Sequence, residues 1–107
     1  MSDPVAIPQV DVVAAAAAQV GGAALIDVRE PEEYAEVRAA GAVLVPLGEL
    51  AERSAELPAS GPIYLICRSG GRSQRAAEFL AQSGFDVLNV AGGTLAWVEA
   101  GLPIERG

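Results

Sequence analysis

Residues 63–73 read IYLICRSGGRS, and this stretch decides the fold. Its first four residues, Ile63–Ile66, are apolar and follow Pro62, which predicts a short buried strand in the middle of a parallel sheet. Cys67 comes directly after that strand, and residues 74–82 carry apolar side chains at helical spacing. We therefore expect the thiol at the end of a buried strand, in a small glycine-rich loop, at the start of a helix.

A loop of this kind favours a negative charge, because backbone N–H groups that converge ahead of a helix form a pocket for an anion. Arginines and serines in the loop add further hydrogen-bond donors. A thiol in that position ionises easily, and the thiolate is the nucleophilic form of cysteine. Cys67 is thus the predicted nucleophile. The residues predicted to hold an anionic substrate are Arg68, Ser69, Gly70, Gly71, Arg72 and Ser73.

Ordinary interpretations of the same residues stay open. A lone cysteine is more often a small core residue than a nucleophile, although the surrounding loop favours the nucleophile here. Ser73 can donate to an anion or cap the following helix, and Arg72 can face the substrate or the solvent. At Gly70 and Gly71 we expect that a side chain would crowd the anion pocket.

The composition limits the classes of function. A chain of 107 residues has the size of one domain, and we expect residues 1–107 to form one. The net charge of −7 argues against nucleic acid or an anionic membrane as a partner. Because the chain has no histidine, Cys–His pairs, Ser–His triads and histidine-ligated metals are excluded. No apolar run is long enough to cross a membrane, and a lone cysteine gives no sign of an oxidising compartment, so we predict the cytoplasm.

The rest of the chain alternates predicted strands with predicted helices, which indicates an α/β fold with a parallel sheet. The predicted strands cover residues 23–28, 41–47, 63–66 and 86–90. The first predicted helix begins at Pro8, includes residues 14–18 and ends at Gly21 and Gly22, and the second begins at Pro31. Two more are predicted at residues 49–57 and 74–82. The last follows Gly93 and carries Leu95, Trp97 and Val98.

Two charged residues, Asp27 and Arg29, fall at the end of a predicted strand. Sites in parallel α/β sheets form at the carboxyl ends of strands, so both residues are expected on the same side of the sheet as Cys67. A buried or half-buried ion pair that orients the strand end is favoured over a direct catalytic role for either side chain.

Four motifs, in this order, resemble the rhodanese-like sulfurtransferase family. They are LIDVREPEEY at residues 25–34, GA at residues 41–42 followed by PL at residues 46–47, CRSGGRS at residues 67–73, and GG at residues 92–93 with AW at residues 96–97 and GLP at residues 101–103. The chain departs from the family pattern at residues 37–40, where VRAA stands in place of the usual Gly-His-Ile-Pro. The missing histidine is not the family's nucleophile, so the departure concerns the shape of this turn and the specificity built on it.

The resemblance implies a rhodanese-like fold, with a central parallel sheet of about four to five strands and helices on both faces. It also implies that Cys67 accepts a sulfane sulfur as a persulfide and passes it to a thiophilic acceptor, by covalent catalysis that needs no histidine. In that scheme Asp27 and Arg29 support the loop, and no cofactor is required. The implied partners are a small anionic donor such as thiosulfate and an acceptor that is cyanide or a thiol, with a sulfur-relay protein as a further candidate.

Two other functions stay open at this point. The loop could belong to a redox-sensing, persulfide-sensing or protein-interaction module, since a lone reactive thiolate suits a sensor as well as an enzyme. The third candidate is a phosphatase, because related phosphatases of this fold also have a cysteine and an arginine in the loop. Their loop places five residues between the two, whereas four separate Cys67 from Arg72, which favours a single sulfur atom over a phosphate.

Overall fold

The computed structural model describes residues 6–107, so residues 1–5 of the predicted domain lie outside the described residues. The main sheet contains five strands, which are β1 (Gln9–Val10), β2 (Ala24–Asp27), β4 (Val43–Leu44), β5 (Ile63–Ile66) and β6 (Val87–Val90). Its order is β1-β6-β5-β2-β4, and every pairing is parallel. A small antiparallel sheet pairs β3 (Arg38–Ala39) with β7 (Ile104–Glu105).

Five α-helices connect these strands, and they are α1 (Val12–Val20), α2 (Pro31–Glu36), α3 (Leu50–Arg53), α4 (Gly71–Gln82) and α5 (Gly93–Glu99). Short 3-10 turns, Leu47–Glu49 and Ser54–Glu56, flank α3. Among the described residues, no helix combines the length and the apolar character needed to cross a membrane.

Neighbouring residues of the central strands point to opposite faces of the sheet, as strand geometry requires. Ile26 and Leu65 pack with Leu80 of α4 on one face. Leu25 and Ile66 pack with α1 and with Trp97 of α5 on the other face. The predicted α/β fold, with a parallel central sheet and helices on both faces, is therefore confirmed.

The limits of several predicted elements are wrong. Helix α1 does not begin at Pro8, because Pro8 precedes β1 and the side chain of Asp11 caps the helix by accepting from the Ala14 N–H at 2.8 Å. The strand predicted at residues 41–47 is reduced to two residues, and the helix predicted at residues 49–57 is divided by its 3-10 turns. Helix α4 starts at Gly71, three residues earlier than predicted, so it begins inside the loop that follows Cys67.

Candidate active site

The carboxyl edge of the main sheet brings the loop after β5 against the start of α5. Cys67 directly follows β5, and Gly70 enters α4 with φ of +116°, a conformation that glycine adopts without strain. Helix α5 is bonded to the loop backbone, because the Thr94 N–H donates to the Cys67 carbonyl at 2.8 Å and the Leu95 N–H donates to the Arg68 carbonyl at 3.1 Å. The position of the thiol is thus fixed from both sides of the sheet.

The close contact between α5 and the loop depends on a glycine outside the loop. A Cβ atom at Gly93 would lie 2.6 Å from the carbonyl oxygens of Cys67 and Arg68, and the φ of +57° also favours glycine. A Cβ atom at Gly71 would meet nothing within 4 Å, and one at Gly70 would come no closer than 3.7 Å to another residue. Gly93 is thus the glycine at which the protein's own packing leaves no room for a side chain, and the crowding of a bound anion by side chains at Gly70 and Gly71 stays a prediction.

The thiol of Cys67 is almost fully enclosed, with 1% of the residue exposed. Its Sγ lies 3.1 Å from the Gly70 nitrogen and 3.2 Å from the Ser73 Oγ. Burial alone would raise the pKa of this thiol, but hydrogen bonds from the hydroxyl and N–H of Ser73 and from the N–H groups of Gly70 and Ser69 outweigh it and lower the pKa below its ordinary value. The loop therefore favours the thiolate, which is the nucleophilic form.

Behind the thiol lies a polar network that the sequence did not predict, which is buried at Ser73 and Asn89 and reaches the surface at Gln9. The Ser73 Oγ donates to Asn89 Oδ1 at 2.6 Å, and Asn89 Nδ2 donates to Gln9 Oε1 at 2.8 Å and to the Gly70 carbonyl at 3.3 Å. Gln9 Nε2 in turn donates to Gln74 Oε1 at 2.6 Å. The network joins β1 and β6 to the first turn of α4, and Ser73 takes part in it from inside the helix rather than as the cap, which is Gly70.

The two arginines of the loop differ in their surroundings. Arg72 makes a bidentate ion pair with Glu33 of α2, with Nη1–Oε1 and Nη2–Oε2 distances of 2.7 and 2.8 Å. These hydrogen bonds hold the pKa of Glu33 at about 2 and raise that of Arg72. Arg68 is exposed and has no ion-pair partner among the described residues. Arg72 thus lies beside the thiol already neutralised, and Arg68 is the exposed cation of the loop.

Asp27 and Arg29 form an ion pair at the end of β2, as the sequence predicted, and it is completely buried. The guanidinium binds both carboxylate oxygens, with Arg29 Nε–Asp27 Oδ1 at 2.9 Å and Arg29 Nη2–Asp27 Oδ2 at 2.8 Å. Arg29 Nη2 also donates to the Val37 carbonyl at 2.9 Å, which ties the end of α2 to the strand. The support of the loop by this pair stays a prediction.

An open cleft of about 360 Å³ lies beside the loop, and we call it the outer cleft. Its lining includes the loop arginine Arg68, three carboxylates and two aliphatic residues of α5, namely Glu33, Glu36, Glu99, Leu95 and Val98. A second cleft, of about 410 Å³, lies at the opposite edge of the sheet around Ala24, Pro62 and Tyr64, and none of its lining residues is charged. Of these two clefts in the described part of the chain, the outer cleft is the one that adjoins the loop that carries the thiol.

Residues 11–100 match the model of one protein family, the rhodanese-like domain. The chain belongs to the rhodanese-like domain family. The match spans the loop of Cys67 and the predicted motifs around it except GLP at residues 101–103, and the resemblance expected from the four motifs is confirmed.

Curated relatives and solved structures support this assignment. A protein of Allochromatium vinosum named "Sulfurtransferase" is 40% identical over 75% of this chain and 76% of its own length. A Bacillus subtilis protein named "Putative sulfur carrier protein YrkF" is 45% identical over 68% of this chain, but the match covers only 40% of that protein. The crystal structure of a rhodanese-related protein from Thermoplasma volcanium is 31% identical, with a TM-score of 0.84 over 94% of this chain and 99% of that one. Together they support a role in sulfur transfer.

The segment that departs from the rhodanese-like pattern has its own contacts. Arg38, in place of the usual histidine, lies over the ring of Tyr34 at 4.5 Å from its centroid and places its Nε 3.6 Å from the Glu105 carboxylate. Its neighbour Val37 lines the outer cleft. The turn is thus held by β7 and by α2 rather than by a proline.

Proposed function

We propose that this protein is a sulfurtransferase in which Cys67 carries the sulfur as a persulfide. The observation that supports it is the enclosed thiol, whose pKa is lowered by converging N–H groups and the Ser73 hydroxyl of the loop. The same donors suit the persulfide, which is also an anion. As substrate-binding residues we propose the loop itself, with the Ser69, Gly70 and Gly71 backbone around the anion and Arg68 as its exposed cation.

The proposed reaction has two displacements at sulfur. In the first, the Cys67 thiolate attacks the outer sulfur of thiosulfate, a new S–S bond forms, and sulfite leaves with the electron pair of the broken S–S bond. In the second, cyanide or a thiolate attacks the outer sulfur of the persulfide, and the Cys67 thiolate leaves. Neither step transfers a proton, so a chain without histidine can carry out both.

The test is to incubate the protein with thiosulfate or another sulfane donor and to measure its intact mass. We expect the gain of one sulfur atom, followed by its loss when cyanide is added with formation of thiocyanate. Because Cys67 is the only cysteine, Cys67→Ser serves as the control and should gain nothing. Failure of every sulfane donor to load Cys67 would refute the proposal.

The alternative functions give different results in the same assay. A sensor module would gain sulfur once and would not produce thiocyanate over many cycles. A phosphatase would hydrolyse an aryl phosphate and lose that activity in Cys67→Ser. The loop geometry favours sulfur, because Ser73 stands where a longer loop would place its arginine and its hydroxyl lies 3.2 Å from the thiol. A cytoplasmic location and a single-domain chain stay part of this proposal.

A further inference from the structure

The charge around the outer cleft does not match a small dianion. Arg29, which lines the cleft, is neutralised by Asp27, and Glu33 is neutralised by Arg72. The remaining charged residues of the lining are the carboxylates of Glu36 and Glu99 against the single cation of Arg68. Both carboxylates are exposed and have no ion-pair partner among residues 6–107. With a net charge of −7 for the whole chain, this side of the loop attracts cations.

The floor of the outer cleft is apolar and partly uncovered. Leu95 and Val98 are three residues apart on α5, so they lie on one face of the helix, and they are 49% and 42% exposed. Trp97, on the opposite face of α5, is buried in the core. Exposed aliphatic side chains beside a reactive loop are typical of a surface that binds a partner.

The apolar floor is held next to the loop of Cys67 by hydrogen bonds to its backbone. The N–H groups of Thr94 and Leu95 donate to the carbonyls of Cys67 and Arg68, and the Thr94 hydroxyl also donates to the Cys67 carbonyl. Helix α5 therefore cannot move away from the loop without breaking three hydrogen bonds. A persulfide would extend the reactive atom by an S–S bond of about 2 Å, beyond a thiol that is only 1% exposed. The acceptor therefore has to reach the outer sulfur, not the Cys67 Sγ.

We propose that the outer cleft binds the sulfur acceptor, and that this acceptor is a cysteine in a protein segment that has apolar side chains beside the thiol and a net positive charge. This inference rests on the proposed function. The acceptor thiol loses its proton to solvent, its thiolate attacks the outer sulfur of the Cys67 persulfide, and an S–S bond forms as the Cys67–sulfur bond breaks. The acceptor leaves as a persulfide, and Cys67 returns to the thiolate.

The test compares two cysteine peptides of equal length, one with arginines and leucines around the cysteine and one with glutamates in place of the arginines. Loading of Cys67 is measured by mass before either peptide is added, so a failure of the proposed function is seen separately. We expect sulfur transfer to the cationic peptide to be at least about tenfold faster, with a difference that decreases as salt is added. Equal rates, or a faster anionic peptide, would overturn the inference.

Variants of the cleft locate the effect. The double variant Glu36→Gln/Glu99→Gln should remove most of the difference in transfer rate between the two peptides. The matched control Glu52→Gln/Asp86→Asn makes the same change in charge at exposed positions outside the cleft lining, so it should preserve that difference. Leu95→Ala with Val98→Ala should lower the ratio of peptide rate to cyanide rate, since cyanide is too small to need the apolar floor. Loss of selectivity in the control as well would assign the effect to the net charge and overturn the cleft as the binding site.

A second and independent inference comes from the buried network behind the thiol. The Ser73 hydroxyl has one proton, and three acceptors surround it, with distances of 2.6 Å to Asn89 Oδ1, 3.2 Å to the Cys67 Sγ and 3.3 Å to the Gly70 carbonyl. A rotation that exchanges the Oδ1 and Nδ2 of Asn89 would break the hydrogen bonds that Nδ2 donates to Gln9 Oε1 and to the Gly70 carbonyl. We propose that Asn89 is a positioning residue that competes with the Cys67 thiolate for the Ser73 proton.

The test is a double-mutant cycle read by the pKa of the thiol, from its ultraviolet thiolate absorbance and from the pH dependence of alkylation. Ser73→Ala should raise the pKa of Cys67 by about 1, since it removes a charge-assisted hydrogen bond. Asn89→Leu, which keeps the number and branching of the side-chain heavy atoms and removes the competing acceptor, should lower that pKa by about 0.5. In the double variant the effect of Asn89→Leu should disappear.

The sign of the Asn89 effect decides this second inference. A raised pKa in Asn89→Leu, or a lowered one that persists without the Ser73 hydroxyl, would overturn it. If the leucine variant does not fold, Asn89→Ala supplies the same comparison. The charged groups nearest the loop, which are Arg68, Arg72 with Glu33, and Arg29 with Asp27, are the same in all of these variants, so they cannot produce the difference.

Discussion

The two ion pairs beside the loop use the same chemistry in different surroundings. Asp27 and Arg29 lie two residues apart at the end of β2, and both are buried. Glu33 and Arg72 lie 39 residues apart, join α2 to α4, and keep about a third of each side chain exposed. The first pair is thus built into one strand end, whereas the second is a contact between two helices that are far apart in sequence.

Because of this difference, we expect the buried pair to affect mainly the stability of the fold and the partly exposed pair to affect mainly the reactivity of the site. A buried pair is costly to break, because removal of one partner leaves an uncompensated charge in the protein interior. A partly exposed pair contributes little to stability but sets the charge that the substrate meets. Both pairs also neutralise an arginine near Cys67, so the anionic donor that we propose meets less positive charge than the seven arginines of the sequence suggest.

The largest effect is expected from Asp27→Ala. It leaves the Arg29 guanidinium buried without its carboxylate, so the free energy of unfolding should fall by about 3–5 kcal/mol. The measurement is a denaturant titration followed by circular dichroism. Removal of both partners in Asp27→Ala/Arg29→Ala should cost less than the sum of the single variants, and a loss below about 1 kcal/mol for Asp27→Ala would contradict the supporting role.

The exposed pair should show its effect in reactivity. Arg72→Ala leaves the Glu33 carboxylate unpaired beside the loop, so we expect a higher pKa of Cys67 and a loss of about tenfold or more in kcat/KM with thiosulfate, equivalent to about 1.4 kcal/mol. Glu33→Gln should act in the opposite direction, because it leaves the charge of Arg72 uncompensated near the thiol.

The matched control is Arg75→Ala, an exposed arginine of the same helix that takes part in none of the ion pairs described above. It removes the same charge from α4 and should change kcat/KM far less than Arg72→Ala does. If the two variants lose the same activity, the net charge of the helix is responsible, and Arg72 has no particular place in the site.

The smallest effect should appear in acid. The bonds from Arg72 lower the pKa of Glu33 from 4.5 to about 2, so the ion pair stabilises the fold fully above pH 4.5. As the pH falls from 4.5 to about 2, Glu33 binds a proton in the unfolded chain but stays ionised in the folded chain. The stabilisation by the ion pair is therefore lost over this range. Its size is on the order of 1 kcal/mol for a pair so open to solvent. The difference in unfolding free energy between wild type and Glu33→Gln should therefore shrink from neutral pH to about pH 3, and a constant difference would contradict it.

Local patterns predicted the central part of the fold well. The bounds of β5 were predicted correctly because four apolar residues between Pro62 and a polar loop leave little choice. The two-residue strands β1, β3 and β7 were missed, since two residues are too short for any periodicity and their pairing is set by distant parts of the chain. Helix α1 begins after Asp11 rather than at the predicted Pro8, because the side chain of Asp11 is the local signal that caps it.

The residues of the candidate site also differ in whether neighbouring residues in the sequence could reveal them. Cys67 and its loop could be found from adjacent residues, and the pair of Asp27 and Arg29 from their spacing. Asn89 and the partner of Arg72 could not be found, because each contact joins residues far apart in sequence. The sequence also indicated glycine as a requirement of the loop, but the atoms that leave no space for a side chain face Gly93, which follows a different strand.

The single tryptophan gives the protein a built-in optical reporter. Trp97 is 1% exposed, its Nε1 donates to the Pro103 carbonyl at 2.7 Å, and it belongs to the helix whose first N–H groups bind the Cys67 and Arg68 carbonyls. The indole and the loop are thus connected through one short helix, so we expect a change of charge or volume at the sulfur to alter the surroundings of the indole. Excitation beyond the absorption of the two tyrosines therefore gives a label-free emission from one known position, on the helix that is hydrogen-bonded to the loop of Cys67.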